Sequence, residues 1–179
     1  MVTKTPHSVF QEKQYFRQFW VWALTIVSSV LTLIALKFAF PYPVPQDQMW
    51  LFWVGIVSGC SSAIGVPLFF LLVYLRTEVR AEGVYYKFVP LQRRFRYIPF
   101  DKIKSFRVVQ YRPIADYGGW GIRRGREGRA YNVSEDMGIL FELPNEETFL
   151  LGSRTPYDLF QAIKRAKASP PASQESVNA

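Results

Sequence analysis

Two long apolar runs, separated by eight residues, constrain this chain more than any other feature. The first extends from Phe19 to Phe40 and the second from Met49 to Leu75. At 1.5 Å rise per residue, each is long enough as a helix to cross a ~30 Å hydrocarbon layer. The connection Pro41-Tyr-Pro-Val-Pro-Gln-Asp-Gln48 is too short for a domain. The expected organisation is a cytoplasmic N-terminal arm over 1–18 and a two-helix transmembrane hairpin over 19–75 (19–40 and 49–75). A cytoplasmic domain over 76–168 and a disordered, Ser/Pro/Gln-rich tail over 169–179 follow.

Charge sets the orientation. From Phe38 to Leu75 the only formal charge is Asp47, whereas residues 76–179 hold 18 of the 22 Lys and Arg and 12 of the 14 Asp and Glu, a net +6. Lys4, Lys13 and Arg17 precede the first run, and Arg76 and Arg80 follow the second. Lys37 lies at the end of the first run, where it can snorkel outward. The positive-inside rule places both termini in the cytoplasm of a multi-pass protein of the cell membrane. Trp20, Trp22, Tyr42, Trp50 and Trp53 fall where interfacial aromatic belts form. Neither run contains an acidic residue, which argues against an ion or proton pathway.

The second run carries Gly55, Gly59 and Ala63 at four-residue spacing. Such a small-residue face lets another helix approach closely. Two readings stand: packing on the first helix, where Ser28 and Thr32 match it, or a homo-oligomer. Pro67 is expected to kink the second helix.

Beyond residue 82 the pattern turns to strands. Val84-Tyr-Tyr-Lys-Phe-Val89, Arg94 to Phe100, Phe106 to Tyr111, Arg129 to Val133, Gly138 to Leu143 and Thr148 to Gly152 are rich in β-branched and aromatic residues. Five glycines in Gly118–Gly128 predict an irregular loop. A final helix is expected after Thr155, which can cap it, with Pro156 in its first turn and Leu159, Phe160, Ile163 and Ala166 on its apolar face. The fold class is a membrane α-helical hairpin plus an α+β domain. About six short antiparallel strands and one C-terminal helix suit a small β-barrel of the pleckstrin-homology (PH) type, closed by that helix.

Composition excludes several chemistries. Cys60 is the only cysteine and His7 the only histidine. No intrachain disulfide, Cys/His metal site or histidine triad can be assembled from them. No spacing commits two carboxylates to one pocket. The expectation is therefore a non-enzyme with no catalytic residue, metal or cofactor.

The best binding candidate is Gly118-Gly-Trp-Gly-Ile-Arg-Arg-Gly-Arg-Glu-Gly-Arg129. Its glycines can turn backbone amides toward an anion. Arg123, Arg124, Arg126 and Arg129 offer bidentate phosphate contacts, and Trp120 a stacking surface. It lacks the Gly-Lys-Ser/Thr of a P-loop and the βαβ setting of a dinucleotide fingerprint. The alternative is a structural loop, with its arginines solvated or paired with Asp116 and Glu127. A secondary basic patch comprises Arg93, Arg94 and Arg96, the last two sharing a strand face. Basic charge beside a membrane points to anionic lipid or an acidic partner, and no nucleic-acid motif is present.

The stretch Tyr111-Arg-Pro-Ile-Ala-Asp-Tyr-Gly-Gly-Trp-Gly-Ile-Arg123, followed by Ala130-Tyr-Asn-Val133 and Phe149-Leu-Leu-Gly-Ser153, resembles a bacterial family of two-helix membrane proteins with a cytoplasmic PH-like domain. The resemblance spans residues 76–168 and implies fold and membrane setting, with no activity attached. In layout the chain is also similar to the photosystem I assembly factors, through Glu82-Gly83-Val84 and Asp101-Lys-Ile-Lys-Ser105. It lacks the Tyr-Asp-x-Phe-Asp segment of that group. The expected function is protein-partner or anionic-lipid binding in the assembly or regulation of a membrane complex. A membrane enzyme or small transport component, and a structural homo-oligomer, are the alternatives.

Overall fold

The computed structural model describes residues 8–16, 19–39, 44–125, 128–144 and 147–168. Tyr42, Arg126, Glu127 and the 169–179 tail lie outside them, as do Lys4 and Arg17. The chain divides into two units, Phe16–Val73 and a second built from the segments on either side, up to Tyr15 and from Tyr74 onward.

The first unit is the helical hairpin. Helix α1 is Phe19–Ala39. A short 3-10 turn, Gln46–Gln48, leads into α2, Met49–Cys60. A π-turn over Ser61–Gly65 then joins α3, Val66–Leu72. Val21–Ala39 and Gln46–Leu72 are long and apolar enough to cross a membrane. The π-turn explains the expected irregularity at Pro67. Proline has no amide hydrogen for the carbonyl of Ala63, and a widened turn accommodates the missing bond. The hydroxyls of Ser29 and Thr32 donate to the carbonyl oxygens of Thr25 and Ser28 at 2.7 and 2.9 Å, so each is satisfied within its own helix. A Cβ on Gly59 would lie 3.2 Å from Thr32 Cγ2, and one on Gly55 would press on Leu36. These glycines pack the hairpin on itself, and Ala63 is half-buried in the π-turn.

The second unit holds two sheets and is α+β. Strand β1 is Phe10–Tyr15, β2 Tyr74–Arg80, β3 Gly83–Val89 and β4 Arg96–Pro99. They form one antiparallel sheet in that order. Strand β5 is Ser105–Gln110, and a short helix α4, Pro113–Tyr117, follows it. Then come β6 (Gly121–Gly125), β7 (Gly128–Asn132), β8 (Met137–Glu142) and β9 (Thr148–Gly152). The second sheet runs β5-β8-β9-β7-β6. Helix α5, Pro156–Ala168, ends the described chain.

Several expectations change. The sheets are two open layers and are not closed into one barrel. The β7–β9 pair is parallel, because the β8–β9 hairpin returns beside β7 from the far side. Helix two ends at Leu72, and residues 74–80 form a strand where the end of that helix and a linker were expected. Val73 already has extended dihedrals, φ −80° and ψ 124°. Leu75, Thr77 and Val79 then face inward and Arg76, Glu78 and Arg80 outward, which is strand alternation. The arm ahead of the hairpin supplies β1, so the domain starts before the helices and not at residue 76.

The core lies between the layers and under α5. Leu75, Val79, Val84, Ile139, Phe141, Leu150, Leu151, Leu159 and Ile163 are fully buried. Each such side chain contributes about 1.5–3 kcal/mol of hydrophobic stabilisation. Phe160 packs on Phe106, ring centroids 5.0 Å apart, and Lys167 Nζ donates to the Ile103 carbonyl at 2.7 Å.

Strand β1 is held by polar groups. Gln14 is completely buried and its Nε2 donates to the Gly152 carbonyl at 2.8 Å. Glu12 accepts from Ser153 Oγ at 2.7 Å and from the Arg154 amide at 2.8 Å, just ahead of α5. Burial pushes the Glu12 carboxyl up, against the opposing hydrogen bonds of Ser153, Arg154 and Thr155. A raised folded-state pKa means that this group's stabilising contribution is complete below its unfolded value of 4.5 and is lost as pH rises through the folded value. Glu12→Gln should therefore gain stability relative to the parent as pH rises through the window from 4.5 toward neutrality. Thermal melts of both proteins across that window test this; a gap that stays flat or closes refutes it.

Candidate functional site

The segment expected to be an irregular loop is a β-hairpin. Its glycines sit at its corners. Gly118 adopts a left-handed conformation, φ +71°, and closes α4. Gly128 has φ +93°, and a Cβ there would clash with the Thr148 carbonyl oxygen. Only glycine allows β7 this close to the start of β9. Between these corners, Gly121–Gly125 and Gly128–Asn132 pair in regular antiparallel register. Asn132 is fully buried, and its Oδ1 accepts the Gly121 amide at 2.9 Å, fixing the entry to β6.

Strand alternation then sorts the predicted residues. Arg123 Nε donates to the Trp120 carbonyl at 2.9 Å and folds back on the turn. Arg124 lies directly opposite Arg129, and both are exposed. Arg96, on β4 of the other sheet, lines the same cavity of about 370 Å³ as these two. Arg93 and Arg94 are exposed in the bend before β4, so only Arg96 of the secondary patch belongs to this site, and Arg94 and Arg96 do not share a strand face. Trp120 is half-buried and lines a separate groove, with Ile114 and Asp136.

The floor of the cavity is aromatic. Tyr86 meets Tyr131 edge-on at 4.8 Å and Phe149 at 4.9 Å. Gln92 Nε2 donates to the Tyr131 hydroxyl at 3.1 Å, while Gln92 Oε1 accepts the Phe88 amide. Tyr131 and Asn132 are thus required by packing and by the hairpin's anchorage. Burial, helped by Tyr131, pushes the Tyr86 hydroxyl up to about 12, although Arg96 and Arg129 pull it the other way. It remains a neutral donor throughout the physiological range.

Among the described residues, no carboxylate forms an ion pair with Arg96, Arg124 or Arg129. Asp116, a sequence candidate for such pairing, instead accepts the Arg112 amide at 2.6 Å and lies 3.7 Å from the Arg112 guanidinium. Glu147 is the one described carboxylate lining the cavity. Like charges directly across a ladder repel, so Arg124 and Arg129 have an electrostatic reason to share an anion. Three guanidinium groups that line one cavity with phenol rings have the chemistry to take a phosphate, sulfate or carboxylate group. Arg96 joins the other two through elements of two different sheets that line one cavity, not through a strand pairing.

No family model matches the chain, and no curated protein shows significant similarity to it.

Proposed function

We propose that this chain is a multi-pass membrane protein whose extramembrane domain, PH-like in kind, binds an anionic group on a partner protein at the cytoplasmic face. In this reading it belongs with the bacterial two-helix proteins that it resembles, acts in the assembly or regulation of a membrane complex, and is not an enzyme. The observation that carries the reading is the convergence of Arg96, Arg124 and Arg129, from two sheets, on one cavity without an ion-paired carboxylate among the described residues.

The membrane setting has its own support. Leu24, Ile26 and Val57 are 62–63 % exposed on helices long enough to span, a cost that lipid removes and water does not. Strands β1 and β2 pair, so the segments before and after the hairpin meet in one sheet, which supports the reading of a hairpin that crosses twice. Gly55 and Gly59 face α1, which leaves the homo-oligomer alternative without its expected interface.

Crosslinking the full chain in its native membrane, beside an Arg96→Gln/Arg124→Gln/Arg129→Gln variant, tests the proposal. A charge-assisted hydrogen bond contributes about 1.5–3 kcal/mol, so loss of even one arginine should weaken the partner about ten-fold or more. The expected result is a defined partner recovered with the parent and lost with the variant. Equal recovery with both removes this site from the function.

A further inference from the structure

The outer face of the first sheet carries a second cationic feature, independent of the cavity. Lys13 on β1 pairs with Arg76 on β2, which pairs with Lys87 on β3. Three cations therefore stand in one row across three adjacent strands. Direct cross-strand neighbours of like charge destabilise a sheet unless something compensates. Part of the compensation is internal. Phe95 lies 5.6 Å from the Arg76 guanidinium and 4.6 Å from Lys87 Nζ. Glu78, only 3 % exposed, is shared by Arg76 and Arg80 at 2.6 Å each. One carboxylate between two arginines leaves both lysines without an ion pair among the described residues.

The row's place in the chain bears on what could cover it. The next outward-facing pair, Tyr15 and Tyr74, has rings 5.2 Å apart. Past Tyr15 the chain enters α1 at Phe19, and Tyr74 follows the end of α3 at Leu72 by two residues. Arg76 is four residues beyond Leu72, so its Cα can be no more than roughly 14 Å from the end of that apolar helix. A long side chain spans much of that distance, and the remainder is within about one Debye length. Tyrosines followed outward by Lys and Arg repeat the layering of a bilayer interface, aromatic at the acyl boundary and cationic at the phosphates.

We propose that the Lys13–Arg76–Lys87 row is a docking surface for anionic phospholipid headgroups of the leaflet that holds the hairpin. This rests on the reading that the helices cross a membrane, and it is separate from the partner cavity. The row holds the first sheet at the headgroup layer and leaves Arg96, Arg124 and Arg129 for the partner.

The test uses the full chain in nanodiscs of phosphatidylcholine with a minority of phosphatidylglycerol. The lipid retained on mild detergent extraction is compared with the bulk. Lys13→Gln/Lys87→Gln leaves the Arg76–Glu78–Arg80 cluster intact, and exposed Lys13→Gln alone serves if the double variant loses its fold by circular dichroism. The parent should be enriched in phosphatidylglycerol, with about a five-fold loss per lysine removed, whereas Arg124→Gln/Arg129→Gln keeps the enrichment. Unchanged enrichment in the lysine variants, or a loss seen only in the arginine variant, overturns the assignment. Failure of the parent to enter nanodiscs would end the membrane reading and this proposal together, while leaving the arginine cavity to its own test.

Discussion

Deleting residues 1–15 is expected to unfold the extramembrane domain, although those residues look like a polar arm. Strand β1 pairs with β2 along its whole length, from Phe10 opposite Val79 to Tyr15 opposite Tyr74, and the Val9 amide extends the ladder to Val79. Removing it takes away the bond from Gln14 to the Gly152 carbonyl and the Glu12 acceptors of Ser153 Oγ and the Arg154 amide. It also opens the edge of β2 beside fully buried Leu75 and Val79. Lost buried hydrogen bonds cost about 1–3 kcal/mol each. With the added apolar exposure the total exceeds roughly 5 kcal/mol, comparable to the whole stability of a typical domain. Thermal melting and limited proteolysis of the full and shortened chains decide the matter. A shortened chain that melts within a few degrees of the parent would show that β1 is dispensable.

The second large effect is at Glu78. On the outer face of β2 its carboxylate is almost wholly covered, between the guanidinium groups of Arg76 and Arg80, whose side chains are 29 % and 19 % exposed. Arg80 also lies 4.3 Å from the Tyr85 ring, so neither guanidinium is free to swing into water without losing packing. Glu78→Ala should lower the unfolding free energy by about 3–5 kcal/mol, the range for removing one partner of a buried ion pair. Urea melts measure this directly. Replacing the exposed Lys13 by Gln should change stability by less than about 0.5 kcal/mol, which separates the buried cluster from the outward-facing row.

Strand β3 of the first sheet, two strands of the second and α5 are legible along the chain. The strands near residues 84–89, 138–143 and 148–152, and the helix after Thr155, follow from β-branched and aromatic runs, Pro-containing turns and an amphipathic stripe. Strand β2 carries a clean alternation, but its first residues continue the apolar run of the second helix and disappear into it. Strand β1 offers no such signal, because its inward positions include Glu12 and Gln14, which are stabilised by hydrogen bonds to residues about 140 positions away. The glycine-rich hairpin misleads in the opposite direction. Five glycines suggest irregularity, whereas they occupy the corners and close approaches of a regular β-hairpin.

What depends on neighbours a few residues apart can be read along the chain: two helices long and apolar enough to span a bilayer, a basic α+β region beyond them, and a small-residue face on the second helix that suits close helix packing. The fold alone settled which arginines share a cavity. It set Arg123 on a backbone carbonyl, left Arg93 and Arg94 in an exposed bend, and brought Arg96 to Arg124 and Arg129. It likewise joined Lys13 to Arg76 across the entire hairpin. Hydrophobicity and turn chemistry are local properties and can be read in windows of a few residues. Strand order and register depend on contacts whose loop-closure cost and packing gain are settled for the folded chain as a whole.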